Sequence, residues 1–230
     1  EAISRLDAAT AVGASVLRAD HEQSMRKILG GVTLSFDRPD ESAPAPAVDT
    51  ADRFAAARSH PDGVLAGDAD LAALLFHYGR YLLVSSSRPG GTPANLQGIW
   101  NAEMQPPWGS GYTLNINTPM NYWGAHVTGL SGHALPLTDL TVALSTAARS
   151  QTARLYDTPG WTVHHNTDIW LYATTPGRGA GDPRWSFWPL GGAWLASELI
   201  EAWEFGGADE QELARIWSAL RGAAEFALAW

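Results

Sequence analysis

The chain has 230 residues, 45% of them hydrophobic, which is enough to bury a core as one large domain or two small ones; a single domain is the expectation. Its formal net charge of −9 offers a phosphate backbone or an anionic bilayer no counterion-release gain, which argues against nucleic acid and membranes as partners. The absence of cysteine excludes disulfides, thiolate metal sites and cysteine nucleophiles, and leaves the compartment open.

In chain order, the proline-free, alanine-rich run over 3–29 ends at Gly30-Gly31 and predicts one helix with a glycine stop. A short strand is expected over 32–36. Prolines 39, 44 and 46 make 38–48 an exposed connector, and a short helix over 50–59 follows. From Asp68, a candidate N-cap, Leu71, Leu74, Leu75, Tyr78, Tyr81 and Leu82 recur at the spacing of a buried helical stripe. His77 and Arg80 interrupt the apolar stretch 71–84, so it does not read as a membrane span, and no signal peptide is evident at the start.

The segment 88–117 is rich in glycine and proline, and a loop of that length inside a compact domain is uncommon unless it is functional. Thr118 and Pro119 suit the N-cap and first turn of a helix reaching about residue 130, and another helix is expected over 137–156. After an irregular stretch over 160–184, helices over 190–205 and 209–230 complete the pattern. No segment sustains strand alternation. The expected class is all-α, with helix hairpins forming part of an (α/α)6-type toroid whose long loops gather at one end.

Eleven tryptophans in a chain only 17% charged suit either a carbohydrate pocket or an aromatic core, because indole faces match the C–H faces of sugar rings. The loop favours the pocket. In Asn95-Leu96-Gln97-Gly98-Ile99-Trp100-Asn101, Trp108, and Thr113-Leu114-Asn115-Ile116-Asn117 through Trp123, carboxamides alternate with indoles. Asn and Gln offer donors and an acceptor without charge, as recognition of a polyhydroxylated ring requires. If 115–117 is extended, Asn115 and Asn117 share one side, Ile116 anchors in the core, and two carbonyl oxygens can hold one water. The competing reading is that such amides brace loop backbone.

His164-His165-Asn166-Thr167-Asp168 invites a metal reading, but adjacent histidines point to opposite sides. One histidine, His165, with Asn166 and Asp168 is the better candidate, as hydrogen-bond partners of a sugar or of one another, and no metal or cofactor is expected. Trp194, Glu198, Glu201 and Phe205 share a helical face; turned inward, Glu198 or Glu201 is a possible general acid, and turned outward both are ordinary surface charges. Arg88 is a candidate brace or anion clamp, bracing being the plainer role.

These motifs carry a resemblance. Leu75-Phe76-His77-Tyr78-Gly79-Arg80-Tyr81-Leu82-Leu83, Ser86-Ser87-Arg88-Pro89-Gly90, the Asn95 and Asn115 segments, Met120-Asn121-Tyr122-Trp123, His164 to Trp170 and Gly191-Gly192-Ala193-Trp194-Leu195 together resemble glycoside hydrolase family 95, inverting α-L-fucosidases with some α-L-galactosidases. The resemblance implies an (α/α)6 barrel in which residues matching Asn115 and Asn117 orient and activate the attacking water, assisted by a distant Asp, while a Glu protonates the leaving oxygen. Inverting geometry sets such carboxyls roughly 6.5 to 9.5 Å apart, leaving room for that water. The substrate implied is a terminal L-fucose on a glycan, with Asn95, Gln97, Trp100, Trp108, Thr113, Trp123, His165, Asn166, Asp168 and Trp194 around it.

The family's acid lies in a Ser-Pro-Glu-Asn type motif, with its Asp further on, and neither motif occurs in the chain. The expectation is therefore the N-terminal part of the barrel domain, spanning 1–230 and inactive by itself. Pro119, Gly124 and Glu198 depart from the residues usual at their positions. Thr113 stands where histidine accompanies fucosides and threonine accompanies galactosides, so α-L-galactosidase and non-catalytic sugar binding are alternatives. A further alternative is a different helical hydrolase using Asp168 and Glu201.

Overall fold

The computed structural model describes residues 2–36, 48–207 and 209–230. Helices α1 (Ala2–Val12), α2 (Ala14–Leu29), α3 (Thr50–Arg58), α4 (Val64–Gly67), α5 (Ala69–Ser86), α6 (Asn117–Tyr122), α7 (Ser131–Ala147), α8 (Arg149–Tyr156), α9 (Pro183–Ser186), α10 (Gly191–Gly206) and α11 (Glu210–Ala229) dominate. Strands β1 (Tyr112–Thr113) and β2 (Asn166–Thr167) form a small antiparallel ribbon. The all-α class expected from the sequence holds. The chain divides into two compact units, one running to Tyr81 and the other from Leu82 to Trp230.

In the first unit, the single helix expected over 3–29 is two, because Gly13 takes φ 88, a left-handed conformation that ends α1 and starts α2. The expected strand over 32–36 is irregular. Its neighbouring carbonyls are taken by side chains instead of a sheet partner: Arg80 Nη1 donates to the oxygens of Leu29 at 3.0 Å and Val32 at 2.7 Å. The connector expected over 38–48 lies, up to residue 47, outside the described residues.

Asp68 is the N-cap expected for α5, accepting from Leu71 N–H at 3.0 Å, and it also holds both Arg53 guanidinium donors of α3, at 2.8 and 2.9 Å. The stripe it opens is only partly buried. Leu71 is in the core, whereas Leu74, Leu75 and Tyr78 are exposed and, with Phe54, line an open apolar groove. Periodicity identified the helix but not how deeply each apolar position is covered.

In the second unit, α7, α10 and α11 pack around Leu199, Ile216 and Ala219, flanked by Val142, Leu213 and Leu220. Arg215 of α11 ties this layer to α7 through Asp139 at 2.8 Å. The helix expected over 137–156 is α7 plus α8, with a joint at Ala148, and α7 begins six residues earlier than expected, with Pro136 inside it. The helix expected from Thr118 to about 130 is only α6. Asn117 is its first residue, and turns follow Tyr122, including Gly129 at φ 74. Gly191 explains the glycine pair opening α10, since a Cβ there would lie 2.7 Å from the Val163 carbonyl oxygen. Trp161, fully buried, donates its indole N–H to the Ala219 carbonyl at 2.8 Å and so fixes the segment that runs on to Val163 against α11.

Candidate functional site

The ribbon positions the site. Tyr112 pairs with Thr167 and Thr113 with Asn166, and Leu114 N–H donates to the His165 carbonyl just beyond the paired residues, at 2.6 Å. Tyr112 and Thr167 are buried on one face, where the Tyr112 hydroxyl donates to the Pro93 carbonyl at 2.9 Å. Thr113 faces the other way. Cross-strand partners share a face, so Asn166 stands beside it.

On that side lies a cleft of about 460 Å³ walled by Leu96, Gln97, Pro107, Trp108, Thr113, Asn115, Ile116 and Asn117. Five residues proposed from sequence therefore meet in one cavity: Gln97, Trp108, Thr113, Asn115 and Asn117. No residue of this wall is ionisable. Three of its polar atoms, Gln97 Oε1, Thr113 Oγ1 and Asn115 Oδ1, are buried without a hydrogen-bond partner. An unsatisfied buried polar atom costs about 1–3 kcal/mol, so a cluster of them is an arrangement that awaits partners.

The expected extended 115–117 segment is corrected. Ile116 takes φ −165, ψ −52 as the residue capping α6, so side-chain alternation ends there. Ile116 is 44% exposed and borders the cleft beside both amides instead of anchoring in the core.

The remaining candidates divide. Asn95 braces the loop: its Oδ1 accepts from Gln97 N–H at 2.9 Å and the Ser110 hydroxyl at 3.0 Å, while its carbonyl accepts from Asn121 Nδ2 at 2.9 Å. Trp100 and Trp123 are exposed and outside the wall. Gly98, at φ 66, lies against Trp100; a Cβ would meet its indole Cδ1 at 3.2 Å. Asp168 Oδ1 accepts from the N–H groups of Trp170 at 2.8 Å and Tyr172 at 3.1 Å, an Asx-type brace.

His165 and Trp194 meet through Trp188, with ring centroids 5.5 Å and 6.4 Å from it. His165 Nδ1 is buried without a partner. His164 points elsewhere, hydrogen-bonded through Nε2 to the Tyr156 hydroxyl at 2.6 Å. Burial holds both imidazoles below the ordinary histidine range; for His164 the neighbouring His165 adds to the effect and the Ala173 carbonyl opposes it. Among the described residues no three potential metal ligands cluster, and no helix is long and apolar enough to cross a membrane.

Glu198 is 8% exposed, and burial, with a smaller contribution from the charge of Glu201, pushes its carboxyl up to about 7. It is not part of the cleft wall, and the exposed Arg88 contributes its backbone oxygen to a turn with Gly91 N–H. Sequence reasoning missed Trp188, Ser110 and the buried network under the loop. There the Tyr122 hydroxyl donates to Ser87 Oγ at 2.7 Å and accepts from Ala94 N–H at 2.7 Å, and Ser87 Oγ donates to the His133 carbonyl at 2.8 Å. Burial drives the Tyr122 phenol up to about 12, against those hydrogen bonds. Only the aromatic composition hinted at Trp188; nothing local marked Tyr122 as a brace.

The glycosyl hydrolase family 95 catalytic domain matches residues 13–230. Alpha-L-fucosidase 2 of Arabidopsis thaliana is 36% identical over the whole of this chain and 26% of its own length. A probable alpha-fucosidase A of Aspergillus niger is 30% identical over 92% of this chain and 25% of its own length, and one of Aspergillus oryzae 32% identical over 67% and 21%. The chain thus spans about a quarter of the length of these relatives. With the family model matched over nearly every residue and a relative 36% identical along the whole chain, the chain belongs to glycosyl hydrolase family 95.

Proposed function

We propose that this chain forms the water-holding side of the active site of an exo-acting, inverting α-L-fucosidase that releases terminal L-fucose from glycans. The observation that carries the reading is the group of orphaned oxygens of Gln97, Thr113 and Asn115 in a wall without charge, with Asn117 alongside. Carboxamide oxygens of Asn115 and Asn117 accept the hydrogens of one water and turn its lone pair toward the anomeric carbon. The water oxygen bonds to that carbon as the bond to the leaving oxygen breaks on the opposite face, and the configuration inverts. A carboxyl group protonates the leaving oxygen, and the proton the water loses passes to the carboxamide oxygen it is bonded to, while that amide gives up an N–H proton to a carboxylate. The Ser-Pro-Glu-Asn segment expected for the acid is not among these 230 residues, so the chain by itself is proposed to bind without turning over.

The hairpins are proposed to belong to an (α/α)6 ring. The apolar groove between α10 and α11, lined by Ile200, Trp203, Leu213, Trp217 and Leu220, is the surface against which a further hairpin of such a ring would pack.

The test is hydrolysis of an α-1,2-fucosylated glycan by a protein carrying this chain with the sequence coding for the carboxylates. Asn115→Ala and Asn117→Ala are each expected to slow release at least about a hundredfold, as loss of general-base assistance does, and β-L-fucose is expected as the first product by NMR. Full activity of the double variant removes the water-holding role.

A second reading, α-L-galactoside hydrolysis, is favoured by Thr113, whose small side chain leaves its unpartnered Oγ1 free for the 6-hydroxyl that fucose lacks. Thr113→His is expected to shift the ratio of kcat/KM from galactoside toward fucoside by about tenfold, the modest discrimination one hydroxyl gives. An unchanged ratio leaves fucose as the sugar.

A further inference from the structure

Trp108 and Trp170 combine exposure with a constrained backbone. Each is 83% exposed. Trp108 has φ 51 and is followed by Gly109 at φ 64 and Ser110 at φ 46, while Leu171, next to Trp170, has φ 65. Left-handed backbone is unfavourable for a residue with a Cβ, and burial of the indoles does not compensate for it here. One side-chain oxygen fastens each turn instead: Asn95 Oδ1 receives the Ser110 hydroxyl, and Asp168 Oδ1 receives the Trp170 and Tyr172 N–H groups.

The ribbon register puts both turns at the same end. Tyr112 pairs with Thr167, the Trp108 turn runs directly into β1, and the Trp170 turn leaves β2 directly. Trp108 reaches into the cleft wall, whereas Trp170 stands outside it. With its backbone already fixed, an indole has only two side-chain torsions to order when a pyranose ring stacks on it.

We infer that Trp170 is the stacking face of a second sugar subsite, taking the pyranose to which the terminal sugar is attached, with Asp168 as the residue that positions it. The inference rests on the glycosidase reading above and adds a specificity determinant outside the cleft.

The test is titration calorimetry on the 230-residue chain with L-fucose and with the trisaccharide fucosyl-α1,2-galactosyl-β1,4-glucose. The wild-type chain is expected to bind the trisaccharide at least about tenfold tighter than L-fucose. Trp170→Ala is expected to erase that advantage and leave L-fucose binding unchanged, Trp170→Phe to restore part of it, and Asp168→Ala to lower it less. A trisaccharide-to-fucose ratio unaltered by Trp170→Ala overturns the subsite, as does a wild-type chain that binds both equally; in either case the cleft reading stands. A folded wild-type chain that binds neither sugar overturns both.

Discussion

Two buried polar clusters lie in and around one long loop of the second unit and are built to opposite rules. Beneath the loop, Ser87, Ala94, Tyr122 and His133 exchange short hydrogen bonds until the phenol and the serine hydroxyl each have a partner. Above it, Gln97, Thr113 and Asn115 present buried oxygens with none. Under the proposed reading the contrast separates brace from site: the hydroxyls beneath the loop are matched within the fold, and the cleft oxygens are left for a ligand.

The largest expected effect sets stability against function. Asn115→Ala removes a buried unpartnered acceptor, so its urea midpoint should equal or exceed that of the wild type even though hydrolysis by a protein that also carries the carboxylates slows at least about a hundredfold. A drop of the midpoint, with hydrolysis retained, would place Asn115 with the scaffold.

A second variant probes the buried carboxyl of α10. Glu198 titrates at about 7 against an ordinary 4.5, so the folded state holds its proton more tightly than the unfolded chain does. That contribution is complete below about pH 4.5 and is lost as pH rises through 7. Glu198→Gln should therefore match the wild type at pH 4 and exceed it at pH 8 by up to about 3 kcal/mol in denaturant titrations. A pH-independent difference contradicts the assignment.

The smallest effect is expected under the loop. Tyr122→Phe strands the Ala94 N–H and takes a donor from Ser87, costing about 2 kcal/mol of stability. L-fucose affinity of the folded fraction should hold. If affinity falls with no loss of stability, the two clusters are not separate.

Much of the cleft was legible because it is local. Gln97, Trp108, Thr113, Asn115 and Asn117 lie within one glycine- and proline-rich stretch, and neutral amides beside indoles already suggested a sugar. What depended on distant partners was not legible. Pairing of Thr113 with Asn166 joins two-residue strands far apart in sequence, too short for any alternation to show. Asn95 and Asp168 were read as sugar contacts, and Asn95 Oδ1 and Asp168 Oδ1 also hold serine and backbone donors that only the folded turns bring near. Helix identity was clear where caps were strong, as at Asp68 and Asp209, and helix ends were misjudged where single residues such as Gly13 and Ala148 break a continuous pattern. Burial of Ile116 failed for the same reason: its backbone angle follows from α6 starting at the next residue.

The most direct measurement follows side-chain carboxamide resonances in 1H–15N spectra as L-fucose is added to the labelled chain. Asn101 and Asn121 are internal controls, because their Nδ2 groups already donate to the Glu103 and Asn95 carbonyls, at 2.8 and 2.9 Å. Saturable shifts of the Asn115 and Asn117 amides are expected, with the controls unmoved. Shifts confined to Asn101 and Asn121, or none at saturating sugar, would contradict the cleft reading.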